Sequence, residues 1–228
     1  MLHIEALDAH YGLFQALFGV SFDVAPGETV ALIGANGAGK TTLLRSLAGA
    51  QAVRPTSVRL EGEPIGGDPE RRQLARGIAL VPEGRRLFPS LTVEENLQLA
   101  ARNGRSGPWT LARVLECLPV LGDLLGRPAT ALSGGQQQLV AIARALVCNP
   151  SYLLCDEVSL GLSPLAVEEV YRLLAMARRD GMAILLVEQN VQRALVGSDR
   201  FICLQKGCVE GISANADRHA VAQAYFGV

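Results

Sequence analysis

The fold of this chain is decided by the stretch Gly34-Ala35-Asn36-Gly37-Ala38-Gly39-Lys40-Thr41-Thr42. Up to Thr41 it fits the pattern Gly-x-x-x-x-Gly-Lys-Ser/Thr. It directly follows Thr29-Val30-Ala31-Leu32-Ile33, a continuous apolar run that is typical of a buried parallel strand. A helical run containing Leu43, Leu44 and Leu47 comes next. The sequence therefore predicts a strand, a glycine-rich loop and a helix, in that order.

Such a loop is suited to binding phosphate groups. Glycines let successive backbone N–H groups turn inward around phosphate oxygens, and the following helix directs its positive end at the same anion. Lys40 would reach the β- and γ-phosphates of a nucleotide, and Thr41 would offer its hydroxyl to Mg²⁺. The alternative is a glycine-rich turn with an exposed lysine. The flanking strand and helix favour phosphate binding, and they make Lys40 a candidate for catalysis as well.

Two acidic residues form the second candidate site. The apolar stretch from Tyr152 to Cys155 ends in Asp156-Glu157, which places two carboxylates at the carboxyl end of a predicted strand. Asp156 would hold Mg²⁺, usually through water, and Glu157 would orient or deprotonate an attacking water. Taken alone, two acids after a strand are more often a solvated loop. The phosphate-binding loop favours the catalytic interpretation.

A second glycine-rich segment is Leu132-Ser133-Gly134-Gly135-Gln136. Apolar residues follow at helical spacing until Asn149-Pro150 ends the run. Ser133 to Gln136 therefore lie at a helix N-terminus, which is a second place suited to an anion. The alternative is an ordinary Ser-Gly helix cap.

The remaining pattern predicts an α/β fold. Alternation of Leu2 and Ile4, and of Val20, Phe22 and Val24, indicates a half-buried antiparallel sheet. Further strand candidates are Val58 to Leu60, Ile78 to Val81, Tyr152 to Cys155, Ala183 to Val187 and Phe201 to Leu204. Strands that alternate with helices indicate an α/β core.

The pattern changes to helical between Thr92 and Leu125. Thr92-Val93-Glu94-Glu95 is a capping box, and apolar residues from Leu111 to Leu118 recur at helical spacing. Gly104 to Pro108 is predicted to be the loop between two helices. This section is expected to form a helical subdomain.

Composition narrows the functional class. The chain has 228 residues and a formal net charge of -1, and no long basic run suggests nucleic acid as a partner. Its apolar runs are shorter than the ~20 residues that span a bilayer. The start of the sequence does not resemble a signal peptide. The cysteines form no Cys-x-x-Cys pair. We expect a reduced, cytoplasmic protein without a structural metal.

The three motifs in this order resemble the nucleotide-binding subunits of ABC transporters, whose signature motif the segment Leu132 to Gln136 matches letter for letter. The resemblance implies an α/β fold, a P-loop NTPase of the ABC type in which a mixed-sheet core carries an antiparallel β subdomain and a helical subdomain. We expect one domain over residues 1–228. Residues 1–87 and 140–228 would form the ATP-binding core, and residues 88–139 would form the helical subdomain.

In this family two subunits pair head to tail, and each ATP lies between the phosphate loop of one and the signature helix of the other. The resemblance therefore implies that Ser133, Gly134, Gly135 and Gln136 contact ATP bound to the partner chain. It also implies that Tyr11 stacks on adenine, although a tyrosine beside Gly12 could instead pack against a turn.

Three segments depart from the general family pattern, and one of them is the segment after Glu157, where Val158 replaces the usual proline and Ser163 the usual aspartate. Glu83 stands where most members have a glutamine that touches Mg²⁺, and a carboxylate there could take part in the outer shell of the metal. Gln189 stands where most members have a histidine that faces the γ-phosphate. Gln189 can donate a hydrogen bond to that phosphate but cannot carry a positive charge.

Three runs resemble one subgroup, the second ATPase of branched-chain amino acid importers. They are Val81 to Arg86, Leu91 to Leu97 and Val187 to Asn190. The resemblance implies Mg²⁺ and ATP as cofactors and a peripheral location at the cytoplasmic face of the bacterial inner membrane. The implied partners are a second, distinct ATPase, two transmembrane permease subunits and, indirectly, a periplasmic solute-binding protein. In isolation the chain could pair with itself.

We therefore expect an ATP-hydrolysing importer subunit that powers uptake of branched-chain amino acids or related small polar solutes. One alternative is a soluble ABC ATPase that acts on nucleic acid or ribosomes. Another is a structural subunit that binds ATP but hydrolyses it weakly, as Gln189 in place of the usual histidine and Ser163 in place of the usual aspartate suggest.

Overall fold

Two β-sheets organise the computed structural model, which describes residues 1–188 and 191–214. Within these ranges the strands are β1 (Leu2–Tyr11), β2 (Phe14–Val24), β3 (Thr29–Ile33), β4 (Val58–Leu60), β5 (Glu63–Pro64), β6 (Ile78–Val81), β7 (Tyr152–Asp156), β8 (Ala183–Val187), β9 (Arg200–Gln205) and β10 (Cys208–Ala214). The α-helices are α1 (Lys40–Leu47), α2 (Glu70–Ala75), α3 (Val93–Asn103), α4 (Leu111–Cys117), α5 (Gly134–Leu146), α6 (Pro164–Arg179) and α7 (Val191–Val196).

The larger sheet has the order β10-β9-β3-β8-β7-β6. Five neighbouring strands pair in parallel, in the order β9-β3-β8-β7-β6, and β10 pairs antiparallel with β9 at the edge. Every residue of β3, β7 and β8 is buried, which explains their continuous apolar sequences. Because parallel strands end at the same edge, the segments that follow β3, β6, β7 and β8 meet there.

The smaller sheet is antiparallel, with the order β2-β1-β4-β5. Leu2 lies opposite Val24 and Ile4 lies opposite Phe22, and all four side chains are buried. The half-buried antiparallel sheet that the alternating pattern predicts is thereby confirmed.

The helical section from α3 to α5 packs against the large sheet. One apolar cluster joins Val93 of α3 and Val140 of α5 to Leu153 of β7. At the start of α3, Glu95 donates its N–H to Thr92 Oγ1 at 3.2 Å and Thr92 donates its N–H to Glu95 Oε2 at 2.8 Å, so the capping box is confirmed. Helix α5 runs across residues 139 and 140, where we expected the helical subdomain to end. That division of the chain stays a prediction.

A helix can cross a membrane only if it is long enough and apolar enough. In the part of the chain that the structure describes, no helix is both long enough and apolar enough to span a membrane.

Candidate active site

The loop between β3 and α1 can form only with glycine at two of its positions. A Cβ on Gly34 would lie 2.2 Å from the carbonyl oxygen of Leu204 in β9. Gly39, with φ of 104°, has the backbone conformation that side chains disfavour, and a Cβ there would lie 3.1 Å from the carbonyl oxygen of Ala16. The loop is therefore held against β9 and β2 by close backbone contacts.

Lys40 is the first residue of α1, and only 5% of its surface is exposed. Its Nζ donates hydrogen bonds to the carbonyl oxygens of Gly34 at 2.7 Å and Ala35 at 3.0 Å. Burial lowers the pKa of Lys40, and the nearby carboxylates of Glu157 and Asp156 oppose that shift. The alternative of an exposed lysine is wrong, because the ammonium group lies inside the loop.

Thr41 and Asp156, the two candidate ligands for Mg²⁺, are direct neighbours. The hydroxyl of Thr41 donates to Asp156 Oδ1 at 3.2 Å. Burial raises the pKa of Asp156 to about 6, and the hydrogen bond from Thr41 opposes this while the charges of Glu157 and Glu83 add to it. Asp156 is only 2% exposed, so the alternative of a solvated loop is wrong for it. Oxygen donors and an excess of negative charge fit a hard divalent cation.

Glu157 adopts a left-handed backbone conformation, with φ of 50°. Its N–H donates to the carbonyl oxygen of Val187 at the end of β8, at 3.0 Å. Glu157 lines the same cleft as Lys40 and Thr41, and its negative charge acts on both Lys40 and Asp156. The residue that the sequence assigns to water activation therefore lies at the cleft.

A cleft of about 720 Å³ brings half of the predicted site residues together. The predicted residues on its wall are Tyr11, Asn36, Gly37, Gly39, Lys40, Thr41, Thr42, Glu83 and Glu157. Tyr11 is 43% exposed, and its hydroxyl lies 3.5 Å from Thr42 Oγ1. Tyr11 is therefore partly exposed at the cleft, and its stacking on adenine stays a prediction.

The cleft has a second wall that the motifs do not predict. It comprises Phe14, Gln15, Ala16, Phe18 and Lys206. Phe14, Ala16 and Phe18 alternate along β2, so a period of two was a usable signal for a shared face. Lys206 lies in the turn between β9 and β10 and has no such signal.

The turn after β9 supports the loop from behind. Gly207 donates its N–H to the carbonyl oxygen of Ala38 at 2.9 Å, and its own carbonyl accepts the N–H of Phe18 at 2.9 Å. A Cβ on Gly207 would lie 2.4 Å from the carbonyl oxygen of Ala16, so a glycine is needed here.

The segment Ser133 to Gln136 begins α5, as predicted, but its residues are not among the described ones that line the cleft. Ser133 Oγ accepts the N–H of Gln136 at 3.3 Å, and Gln136 Oε1 accepts the N–H of Ser133 at 2.9 Å. The helix cap is thus real, and the segment lies apart from this cleft of its own chain. Gln189, the candidate for the γ-phosphate, lies outside the described residues.

The segment after Glu83, which contains Arg85 and Arg86, connects the cleft to helix α5. Arg85 Nη1 donates to Gln137 Oε1 at 3.0 Å. Arg144 of α5 donates to the carbonyl oxygens of Arg85 at 3.0 Å and Arg86 at 2.6 Å. Both of these loop arginines have positive φ, so the segment after Glu83 is held in a strained conformation by the signature helix.

A protein-family model described as ABC transporter matches residues 17–159, which is more than half of the chain. The chain belongs to the ABC transporter family. Members of this family bind ATP and hydrolyse it to power transport, and this ABC protein is accordingly an ATPase. ATP-binding subunits of ABC transporters are peripheral to the membrane.

Two relatives match this ABC protein over most of both chains. It is 43% identical to the high-affinity branched-chain amino acid transport ATP-binding protein BraG of Pseudomonas aeruginosa, over 91% of this chain and 90% of the relative. It is 38% identical to the probable branched-chain amino acid transport ATP-binding protein LivF of Archaeoglobus fulgidus, over 92% and 90%. These relatives do not favour a soluble, non-transport ATPase.

Solved structures support the same fold for this ABC protein. An ATP-binding subunit of an ABC transporter superimposes with a TM-score of 0.84 at 31% identity, over all of this chain and 93% of the other. A dimeric ATP-binding cassette in a post-hydrolysis state, bound to ADP and phosphate, gives a TM-score of 0.82 at 27% identity, over 94% and 99%.

Proposed function

We propose that this ABC ATPase powers the import of branched-chain amino acids or related small polar solutes. The observation that carries the proposal is the 43% identity to BraG over nine tenths of both chains. The proposal includes a location at the cytoplasmic face of the bacterial inner membrane.

Each part of the cleft has a role in the proposed reaction. The loop from Gly34 to Thr42 would hold the phosphates of ATP, with Lys40 against the β- and γ-phosphates. Tyr11 would stack on adenine. Glu157 would accept the proton of the attacking water, and Gln189 would donate a hydrogen bond to the γ-phosphate. The support is that Lys40, Thr41 and Glu157 line one cleft.

Thr41 and Asp156 would hold Mg²⁺, and Glu83 would contact its hydration shell. When bound, the ion would neutralise charge on the phosphates. The support is the 3.2 Å hydrogen bond between Thr41 and the buried carboxylate of Asp156, together with the negative charges of Glu157 and Glu83 nearby, which add to the raised pKa of Asp156.

A second ATPase subunit would complete the site. Ser133 to Gln136 lie apart from the cleft of their own chain, so they are free to face ATP on a partner chain. A related cassette is dimeric with ADP and phosphate bound. We propose a heterodimer with a distinct ATPase in the assembled transporter and a homodimer when this chain is isolated.

A groove of about 600 Å³ would receive a segment of a permease subunit. It lies between the large sheet and the helical section, and Phe88 and Leu99 on its wall are 48% and 39% exposed. Pro82 lines the groove and the next residue, Glu83, lines the ATP cleft. A bound permease segment would therefore respond to the nucleotide state. Two permease subunits would connect the ATPases to an external solute-binding protein.

The proposal can be tested by tagging this chain in its native cells, solubilising the membranes gently and identifying co-purifying proteins by mass spectrometry. We expect two permease subunits and a second ATPase. Radiolabelled leucine uptake should fall when this chain is deleted and return when it is restored. Recovery of ribosomal or DNA-bound proteins without a permease would contradict the transport function.

A further inference from the structure

Glu188 is a buried carboxylate that the ATPase roles above do not use. It directly follows β8, and only 3% of its surface is exposed. Its Oε1 accepts the N–H of Ser159 at 3.2 Å, and its Oε2 accepts the hydroxyl of Ser159 at 2.7 Å. Both oxygens of the carboxylate therefore bind one residue, which is itself only 5% exposed.

Ser159 lies two residues after Glu157, and the end of β8 holds both positions. The backbone carbonyl of Val187 accepts the N–H of Glu157. The carboxylate of the next residue, Glu188, accepts the N–H and the hydroxyl of Ser159. Val158, between them, is fully buried. The loop after β7 is thus fixed at two points by two consecutive residues, the last residue of β8 and the residue that follows it.

The conformation of Glu157 explains why two points of attachment are needed. Its φ of 50° lies in the left-handed region, which a non-glycine residue keeps only where its surroundings enforce it. If the bonds to Ser159 were lost, the loop could relax toward an ordinary conformation. The direction of the Glu157 side chain would then change.

The cost of burying Glu188 argues against a role in stability alone. Burial raises its pKa, and the hydrogen bonds from Ser159 and the neighbouring hydroxyl of Tyr171 oppose that shift. An apolar pair of similar size would join the same two segments without taking a carboxylate out of water. A buried acceptor with two aligned oxygens is better suited to fixing one geometry.

We propose that Glu188 is a positioning residue that acts through Ser159 to hold the Glu157 carboxylate in its working direction. This inference rests on the proposed role of Glu157 as the group that accepts the proton of water. A displacement of about 1 Å in a reacting group can lower a rate by about 10²-fold, so the effect should be on turnover and not on ATP binding.

Three variants test the inference in the transporter reconstituted with its permease subunits. Glu188→Met keeps the length of the side chain but has no acceptor oxygen. Glu188→Gln can still accept the N–H of Ser159 and can donate its amide to the hydroxyl. Ser159→Ala removes the hydroxyl bond alone. For each variant kcat and KM for ATP, the Kd for ATP and the Tm would be measured.

We expect Glu188→Met to lower kcat by about 10- to 100-fold, with KM and Kd within about twofold of wild type. Glu188→Gln should stay within about threefold in kcat, and Ser159→Ala should lie between the two. If Glu188→Met fails to fold, the comparison of Ser159→Ala with Glu188→Gln gives the same test. A wild-type kcat in Glu188→Met would overturn the inference. If that variant does not fold, a wild-type kcat in Ser159→Ala would overturn it. An equally low kcat in Glu188→Gln would also overturn it.

A double variant separates this inference from the role on which it rests. In a Glu157→Gln background, Glu188→Met should lower the residual turnover no further, because the residue it positions is already inactive. Multiplied effects would overturn the positioning role while leaving Glu157 in place. Unchanged turnover in Glu157→Gln alone would overturn the role of Glu157, and the inference with it.

Discussion

The hydroxyl of Thr41 donates a 3.2 Å hydrogen bond to the carboxylate of Asp156, which lies 115 residues further along the chain. Thr41 is in the first turn of α1 and Asp156 ends β7. The bond therefore joins the phosphate-binding loop to the strand that precedes Glu157. It places the two proposed Mg²⁺ ligands, one neutral and one acidic, beside each other.

Replacing Lys40 should weaken nucleotide binding. Lys40→Ala removes the buried ammonium that faces the loop carbonyls, so we expect the Kd for ATP to rise by at least about tenfold. Isothermal titration calorimetry would measure it. Lys206→Ala is the matched control, because it removes an exposed positive charge from the same cleft and should change the Kd by less than about threefold. Normal affinity in Lys40→Ala would contradict the assignment of the phosphate loop.

Glu157→Gln should separate binding from chemistry. The amide keeps the size of the side chain but cannot accept a proton from water, so turnover should fall by about 10²- to 10⁴-fold while ATP still binds. Phosphate release by the assembled transporter and equilibrium binding of ATP would be measured in parallel. Glu168→Gln, on the exposed face of α6, controls for the lost charge. Wild-type turnover in Glu157→Gln would remove this residue from the reaction.

In the nucleotide-free protein, the charged form of Asp156 should lower the free energy of unfolding at high pH. Burial raises its pKa from 3.8 to about 6, so the folded state binds a proton between these values that the unfolded state does not. The contribution of Asp156 to stability therefore falls as pH rises through this window. Asp156→Asn should raise the free energy of unfolding by about 2 to 3 kcal/mol at pH 8, and the gain should disappear toward pH 4.

Urea unfolding in EDTA at both pH values would measure this difference. The asparagine can still accept the hydroxyl of Thr41, so the hydrogen bond is kept and only the charge is removed. An equal effect at pH 8 and pH 4 would show that charge is not the cause.

Arg144 should stabilise the strained segment after Glu83. Arg144→Met removes two hydrogen bonds to the carbonyl groups of Arg85 and Arg86, so we expect a loss of about 1 to 3 kcal/mol in the free energy of unfolding. Chemical denaturation would measure it, with Arg102→Met on the exposed face of α3 as control. If both variants lose the same stability, the bonds to the segment contribute nothing specific.

The parts of the site that the sequence predicts are those that local patterns encode. Continuous apolar residues from Thr29 to Ile33, followed by glycines and Lys40, give the strand, loop and helix that the structure contains. The position of Asp156 follows for the same reason, since a buried strand ends in an acid. Neither prediction needs knowledge of distant neighbours.

The parts that the sequence did not predict depend on pairings between distant segments. Glu188 binds Ser159 across 29 residues, and that contact exists only because β7 and β8 are adjacent and in register. Arg144 reaches the carbonyl group of Arg85 across 59 residues, and nothing in the local pattern of α5 marks it. Hydrogen bonds of this kind can be predicted only once it is known which strands and helices are neighbours in the fold.

The separation of Ser133 from the cleft of its own chain has a consequence for how the enzyme behaves in dilute solution. If each ATP site is completed by the signature segment of a partner chain, a single chain carries a cleft and a signature segment that do not together form a complete site. Hydrolysis per chain would then increase with protein concentration and level off once nearly all chains are paired, so that activity reports the extent of association.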